Sequence, residues 1–123
     1  MFKDIIWVGI GGACGSILRY GLTLLAGALA LPTTLATFTT NSLGSLLIGF
    51  FMATCDKGSW YLFATIGLCG GFTTFSTFSA QAVNFLQNDK YGMSMLYIFG
   101  SVVVCLFSVL LGLWLGGKLG ETT

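Results

Sequence analysis

Long uncharged apolar segments alternate with short charged connections along this chain. Charged residues occur at five places, and four of these places mark the ends of apolar runs. The runs cover about residues 5–29, 33–55, 59–86 and 93–117. Because roughly 20 apolar residues cross a bilayer as a helix, the pattern predicts an all-α membrane protein. Its four transmembrane helices are expected to form a single domain over residues 1–123.

The third apolar run contains an unusually polar stretch from Gly70 to Ser79. Gly70 and Gly71 favour a break in the helix, and five hydroxyl residues occupy the seven positions 73–79. Every third residue from position 72 to 78 is a phenylalanine, a spacing that keeps the rings near one another on a helical face. Broken helices with polar groups at the membrane midplane are typical of sites that bind or pass a solute. We therefore predict that the third helix is broken near its middle.

Composition and charge agree with a membrane protein and say little about its orientation. Hydrophobic residues make up 55% of the chain and charged residues 7%, whereas soluble domains are about 25% charged. One side of the predicted bundle carries three positive charges and the other side carries one or two. This difference is a weak positive-inside bias. The chain is therefore expected either to insert one way with low fidelity or to insert both ways. Insertion in both orientations would allow an antiparallel dimer of one sequence.

Small residues four positions apart predict close contacts between helices. They occur in the first, second and fourth runs, as Gly11 and Gly15, Ser45 and Gly49, and Gly112 and Gly116. Such pairs serve packing within one four-helix subunit or association between subunits, and the spacing does not separate the two. Four short helices cannot enclose a hydrophilic path on all sides, so we expect an oligomer.

Missing residue types exclude several functions. The chain has no histidine, and its four acidic residues all lie near the ends of apolar runs. No carboxylate or imidazole is therefore expected at the midplane to carry protons or bind a transition metal, which argues against an enzyme and against a proton-coupled exporter. The four cysteines include no C-x-x-C pair, and we expect them to be small buried hydrophobic residues.

Neutral hydrogen-bond donors remain as candidates for contact with a solute. Asn41 lies among threonines and serines of the second run. A buried amide must find partners, and we favour a solute contact over a simple tie between helices. The residues Tyr97, Ser101, Cys105 and Ser108 recur at intervals of four, four and three in the fourth run, which places them on one helical face. This stripe is interpreted as a track for a solute, with contacts between helices as the alternative.

Aromatic rings and one arginine complete the set of candidates. Phe75 and Phe78 flank the hydroxyls of Ser76 and Thr77. Because the edge of an aromatic ring is electropositive, rings presented edge-on favour an anion; the alternative is that they face lipid or fill the core. Arg19 is the one charge inside an apolar run. It is expected either to face the vestibule of an anion pathway or to cap a helix C-terminus and orient the subunit.

Three stretches of the chain resemble the fluoride channel family called Fluc or CrcB. They run from Gly11 to Tyr20, from Thr40 to Gly44 and from Gly67 to Ser79, and the last is long and specific. The resemblance extends over nearly the whole chain. It implies an antiparallel, dual-topology homodimer with two fluoride pathways, one on each side of the dimer interface.

The resemblance also implies roles for individual residues. It assigns Arg19 to a vestibule and the fluoride pathway to Asn41, Phe75, Ser76, Thr77, Phe78, Tyr97, Ser101 and Cys105. A structural sodium ion at the dimer centre is expected to be bound by the backbone carbonyls of Gly70 and Thr73 from each subunit. Many relatives carry an acidic residue where this chain has Gln81, so no role of a carboxylate transfers to that position.

The function that the resemblance implies is passive, fluoride-selective export across the bacterial plasma (inner) membrane. Fluoride runs out down its electrochemical gradient, which relieves fluoride toxicity. The expected partners are fluoride, a second antiparallel copy and the lipid bilayer, without nucleic acid. One alternative is a small dual-topology multidrug exporter, which needs a glutamate inside the first helix, whereas this chain has no acidic residue between Asp4 and Asp56. The other is a membrane scaffold without transport.

Overall fold

Four long helices make up this computed structural model, which describes residues 1–117. The first span is Phe2–Ala28, the second Thr33–Thr54, the third Ser59–Gln87 and the fourth Tyr91–Leu115. Each is long and apolar enough to cross a bilayer. Every regular element in these residues is helical. The predicted all-α architecture with four spanning helices is confirmed.

The bounds of the helices differ from the expected bounds by up to three residues. The first span begins at Phe2 rather than at residue 5, because the side chain of Asp4 is favourable in the first turn of a helix, near its positive end. The fourth span begins at Tyr91, two residues earlier than expected. It ends at Leu115 rather than 117, where Gly117 adopts a φ of 84° that no longer continues the helix. The first three spans end within one residue of the expected positions, and the second and third spans begin at the expected residues.

The third span is interrupted, as the sequence predicts, although the interruption follows the glycine pair. Gly70 has helical angles, with φ −63° and ψ −37°. The helix ends at Phe72, Thr73 is extended with φ −84° and ψ 161°, and helix resumes at Ser76. We call residues 73–75 the helix break. It divides the third span into two halves.

The first half of the third span is also wound unusually. Its middle segment, Phe63–Cys69, is a π-helix, between an α-helical turn at Ser59–Leu62 and another at Gly70–Phe72. π-Helical turns are rare and often lie at functional sites. Nothing in the sequence pattern predicts this segment.

Glycines let the first span pack against the first half of the third span with the two backbones in contact. A Cβ atom added to Gly15 would overlap the carbonyl oxygen of Leu68, and one added to Gly71 would lie 2.5 Å from the carbonyl oxygen of Gly12. At the end of the pair, Ser59 donates a hydrogen bond to Asp4 over 3.0 Å. The Gly11 and Gly15 pair therefore serves packing within the subunit.

The second and fourth spans form another closely packed pair. A Cβ atom on Gly112 would overlap the carbonyl oxygen of Leu46, and one on Gly49 would overlap that of Val109. Gly116 lies against the Cβ atom of Ala53 in the same way. The helix break lies beside this second pair, and the candidate site is formed there.

Candidate functional site

A cavity of about 340 Å³ lies where the helix break meets the second and fourth spans. Five predicted pathway residues and both predicted sodium ligands line it: Asn41, Phe75, Phe78, Ser101, Cys105, Gly70 and Thr73. Three separate spans therefore bring these residues to one place. Their roles in conduction stay predictions.

Asn41 fastens the second span to the helix break through both ends of its amide. Its Nδ2 donates to the carbonyl oxygen of Thr74 over 3.0 Å, and its Oδ1 accepts from the Thr74 N–H over 2.7 Å. The structure therefore shows the tie between helices that we ranked second. A primary amide has two N–H donors, so this pair of bonds leaves one for another ligand, and Asn41 also lines the cavity.

The two candidate phenylalanines lie in different surroundings. Phe75 belongs to the helix break and is 78% exposed, whereas Phe78 is 8% exposed. Their ring centroids are 5.7 Å apart, and Phe78 lies 5.1 Å from the ring of Tyr97. A row of aromatic rings therefore leads from the open side of the cavity to the fourth span.

Ser76 and Thr77 do not line the cavity; both are exposed. The Thr77 N–H donates to the Oγ1 of Thr74 over 3.3 Å, and the Thr74 hydroxyl donates to the Oγ1 of Thr77 over 3.2 Å. Hydroxyls at the start of a helix commonly satisfy its free N–H groups in this way. Thr74 therefore caps the start of the second half of the third span from within the break. The predicted contacts of Ser76 and Thr77 with fluoride stay predictions.

The fourth-span stripe contains one hydroxyl that is free to bind a solute. Ser101 is 5% exposed, and its Oγ has no hydrogen-bond partner among the described residues. It lines both this cavity and a neighbouring one of about 300 Å³, which Tyr97 also lines. Cys105 lines the first cavity. By contrast, Ser108 donates to the carbonyl of Val104 in its own helix over 2.7 Å.

Tyr97 forms a hydrogen bond to Gln81, a residue of the third span. Its hydroxyl donates to Oε1 of Gln81 over 2.6 Å. The ring of Tyr97 also packs against Phe85, with centroids 5.9 Å apart. This contact joins the fourth span to the second half of the third span.

Arg19 contacts the last turn of the first half of the third span, which ends at Phe72, as the interpretation of Arg19 as a cap of a helix C-terminus expects. Its Nε donates to the carbonyl oxygen of Gly71 over 3.1 Å, and the residue is half-buried. The two residues are 52 positions apart in the chain. Arg19 does not line the cavity described above.

Three further residues shape the site without having been predicted. Cys69 and Thr74 line the cavity, and Thr74 provides the backbone groups that Asn41 binds. Gly44 lies against Thr73, whose Cγ2 would overlap a Cβ atom at position 44. The sequence offered signals for all three, since Gly44 ends the Thr40–Gly44 stretch, and Cys69 and Thr74 lie in the Gly67–Ser79 stretch, on which the family resemblance rests.

Backbone carbonyls at the break suit a hard cation. The described residues supply no hydrogen-bond donor for the carbonyl oxygens of Gly70 and Thr73. The N–H and hydroxyl of Thr73 instead donate to the Cys69 carbonyl, each over 3.0 Å. No cluster of three or more histidine, cysteine or acidic side chains occurs within residues 1–117. Because carbonyl oxygens are ligands of hard cations, the donor set fits sodium.

Comparison with known sequences identifies the family. The family described as "CrcB-like protein, Camphor Resistance (CrcB)" matches residues 6–113. The chain belongs to the CrcB family. This membership and the four apolar spans make it a multi-pass integral membrane protein.

Relatives within the CrcB family carry a functional name. A protein of Phocaeicola vulgatus named "Fluoride-specific ion channel FluC" is 41% identical over 92% of this chain and 98% of its own length. A Bacteroides fragilis protein of the same name is 41% identical over 93% of this chain and 96% of its own length. One from Thermus thermophilus, again so named, is 43% identical over 91% of this chain and 94% of its own length.

Proposed function

We propose that this protein is a fluoride-selective channel that lets fluoride leave the bacterial cytoplasm passively and so relieves fluoride toxicity. It is a channel and not an enzyme, in agreement with the names of its relatives. The observation that carries the proposal is the cavity at the helix break, where Asn41, Ser101 and two phenylalanines meet. The protein lies in the plasma membrane.

Neutral donors in the cavity suit a small anion with a strongly held water shell. Asn41 offers its second amide N–H, and Ser101 offers a hydroxyl without a protein partner. Phe75 and Phe78 add ring edges, which are electropositive. These contacts replace the hydration shell of fluoride within a narrow path, and a larger halide fits them poorly. Selectivity therefore follows from the size and the donor groups of the path.

A passive mechanism agrees with the residues of the spans. The acidic residues among the described positions are Asp4, Asp56 and Asp89, which lie at or beyond the ends of the helices. A coupled exporter needs a titratable group within the membrane, and the cavity is lined by none of these three. The fluoride gradient itself drives the flux.

The channel is an antiparallel, dual-topology homodimer in this proposal. One subunit leaves the cavity open on the side of Phe75, whose side chain is 78% exposed in the single chain. A second copy would cover this aromatic face and close the path. The weak charge asymmetry of the chain agrees with insertion in both orientations.

A structural sodium ion belongs to the proposed dimer. The carbonyls of Gly70 and Thr73 from each subunit would hold it, and their lack of hydrogen-bond donors in the described part of the chain supports this. When bound, the ion supplies positive charge that holds the two helix breaks together.

Fluoride release from liposomes tests the function. Purified protein is reconstituted with fluoride inside the vesicles, a potassium ionophore prevents charge build-up, and a fluoride electrode records release. We expect rapid release of fluoride and, in a parallel sample loaded with chloride, no release of chloride.

Two other outcomes would change the interpretation. No release from folded protein would favour a membrane scaffold. Release of chloride at the rate of fluoride would leave a channel without the proposed selectivity. Protein-free vesicles, measured in parallel, give the leak of the bilayer.

A further inference from the structure

Two polar side chains from different spans bind the backbone at and next to the helix break. Arg19 of the first span donates its Nε–H to the Gly71 carbonyl over 3.1 Å. Asn41 of the second span donates to the Thr74 carbonyl over 3.0 Å and accepts from the Thr74 N–H over 2.7 Å. We call these two residues the Arg19–Asn41 clamp.

The clamp determines which carbonyl oxygens near the break are free. Gly71 and Thr74 each have their carbonyl engaged by a clamp side chain. Gly70 and Thr73, each one position earlier, have no donor to theirs among residues 1–117. Within residues 70–74 the clamp therefore engages the carbonyls of Gly71 and Thr74, and the other three carbonyls have no donor among residues 1–117.

Asn41 also prevents the helix from continuing through the break. In a regular α-helix the N–H of Thr74 would bind the carbonyl of Gly70. Here that N–H binds Asn41 instead. The carbonyl of Gly70 is left free as a direct result.

We propose that the Arg19–Asn41 clamp is a positioning device that sets the affinity of the helix break for its cation. The inference rests on the proposed sodium site and extends it to side chains that do not touch the ion. Groups that orient metal ligands commonly contribute about 10–100-fold to metal affinity. The clamp acts in this way on the carbonyls of Gly70 and Thr73.

The charge of Arg19 and its hydrogen bond act in opposite directions on a cation. The guanidinium repels a nearby positive ion, whereas the Nε–H bond holds the backbone that presents the free carbonyls. Two substitutions separate these effects. In glutamine, Nε2 occupies the same place along the side chain as Nε of arginine, without the charge. In lysine a methylene occupies that place, and the positive charge remains.

Sodium binding is measured by thermal unfolding of purified protein, followed through tryptophan fluorescence. Sodium is titrated from a sodium-free buffer, with N-methylglucamine holding the ionic strength constant. The concentration that gives half of the rise in Tm is the readout. We expect Arg19→Lys to raise this concentration about tenfold or more and Arg19→Gln to leave it within about threefold of the parent value.

Asn41→Leu provides a second test, because it removes both bonds to Thr74 at similar side-chain size. It is expected to raise the half-effect concentration about tenfold or more. Thr23→Ala is the matched control: its hydroxyl donates to the Arg19 carbonyl over 3.1 Å, within the first span. That variant should bind sodium like the parent.

Each outcome decides the inference. A loss of sodium affinity in Arg19→Gln with retention in Arg19→Lys would overturn it, since charge and not the hydrogen bond would then matter. Unchanged affinity in both Arg19→Lys and Asn41→Leu would overturn it as well. If sodium does not stabilise the parent protein, both the proposed sodium site and the proposed role of the clamp are rejected. Fluoride release is measured separately. A protein that binds sodium as expected but releases no fluoride would contradict the proposed function and not the role of the clamp.

Discussion

Exposure separates residues that look alike in the sequence. Phe75 and Phe78 are three positions apart and have the same side chain, yet one is 78% exposed and the other 8%. Ser94 and Ser101 are both buried serines of the fourth span, yet only Ser94 has a hydrogen-bond partner within the described residues, the Ala82 carbonyl at 2.9 Å. A buried hydroxyl without a partner in the subunit, or a ring that is mostly exposed beside the cavity, is the better candidate for contact with the solute.

Phe75→Ile is expected to reduce fluoride release about tenfold or more and to leave thermal stability unchanged. The substitution removes the ring edge from the open side of the cavity without disturbing packing inside the subunit, because the side chain is mostly exposed in the single chain. Phe78→Ile should also reduce release. It should in addition destabilise the protein by about 1 kcal/mol, since the Phe78 ring packs on Tyr97. Parent-like release from well-folded Phe75→Ile protein would take that ring out of the pathway.

Ser101→Ala and Ser94→Ala form a matched pair with opposite expected effects. Removing the unpartnered hydroxyl of Ser101 should lower fluoride release several-fold at unchanged stability, because no protein hydrogen bond is lost. Removing the hydroxyl of Ser94 should cost about 1 kcal/mol of stability and leave release as in the parent. Liposome flux and thermal unfolding are measured on both. Equal flux in the two variants would argue against a role of Ser101 in the path.

At the scale of elements, the glycines have unequal importance. Gly11, Gly15 and Gly71 lie at the contact of the first and third spans, where an added Cβ atom would overlap backbone atoms of the facing span. Gly9 and Gly100 have no atom within 4 Å of such a Cβ atom. The close contacts join the spans in two pairs, and the helix break lies where those pairs meet.

Gly15→Ala is expected to destabilise the protein by more than about 2 kcal/mol, because the new Cβ atom meets the Leu68 carbonyl and the spans must separate. Gly9→Ala in the same helix is the control. It has open space and should be neutral or slightly stabilising, since alanine is the better helix former. Tm values from thermal unfolding give the comparison. A Gly15→Ala protein as stable as Gly9→Ala would mean that the two spans are not in such close contact.

The sequence predicts the spans well because hydrophobicity and length are local properties. It also predicts an interruption in the third span, but the glycines that pointed to it stay helical. Gly71 serves the contact with Gly12, and the interruption begins at Thr73. The π-helix at Phe63–Cys69 could not be predicted, because no residue type in the sequence indicates it.

The candidate site shows the same division between local and long-range information. The amide of Asn41 could be expected to find partners, because an unpaired amide is costly in hydrocarbon. That its partner is the Thr74 backbone depends on residues 33 positions apart in the chain. The bond from Arg19 to Gly71 spans 52 positions. No spacing rule connects residues at such distances, so both contacts became visible only in the folded structure.

At the scale of the whole molecule, the open cavity and the weak charge asymmetry both bear on how subunits assemble. In the proposed dimer, a second copy covers the aromatic face that is exposed beside the cavity in the single chain. An antiparallel copy supplies this cover only if the same sequence inserts in both directions. Orientation is therefore a condition of function in the proposed dimer.

Single cysteines in two loops on opposite sides of the bundle report this orientation. Two uncharged positions serve, because they leave the charge bias unchanged: native Cys55 is kept while the other three cysteines are replaced by alanine, and Asn88→Cys is introduced after all four are replaced; Cys55 is half-buried and Asn88 is exposed. An impermeant maleimide is added to intact cells, and labelling after permeabilisation gives the total. Insertion in both orientations predicts that about half of the protein is labelled from outside at each position, because the charge bias is too small to select one. Full labelling at one position and none at the other would establish a single orientation, and an antiparallel dimer could not then form.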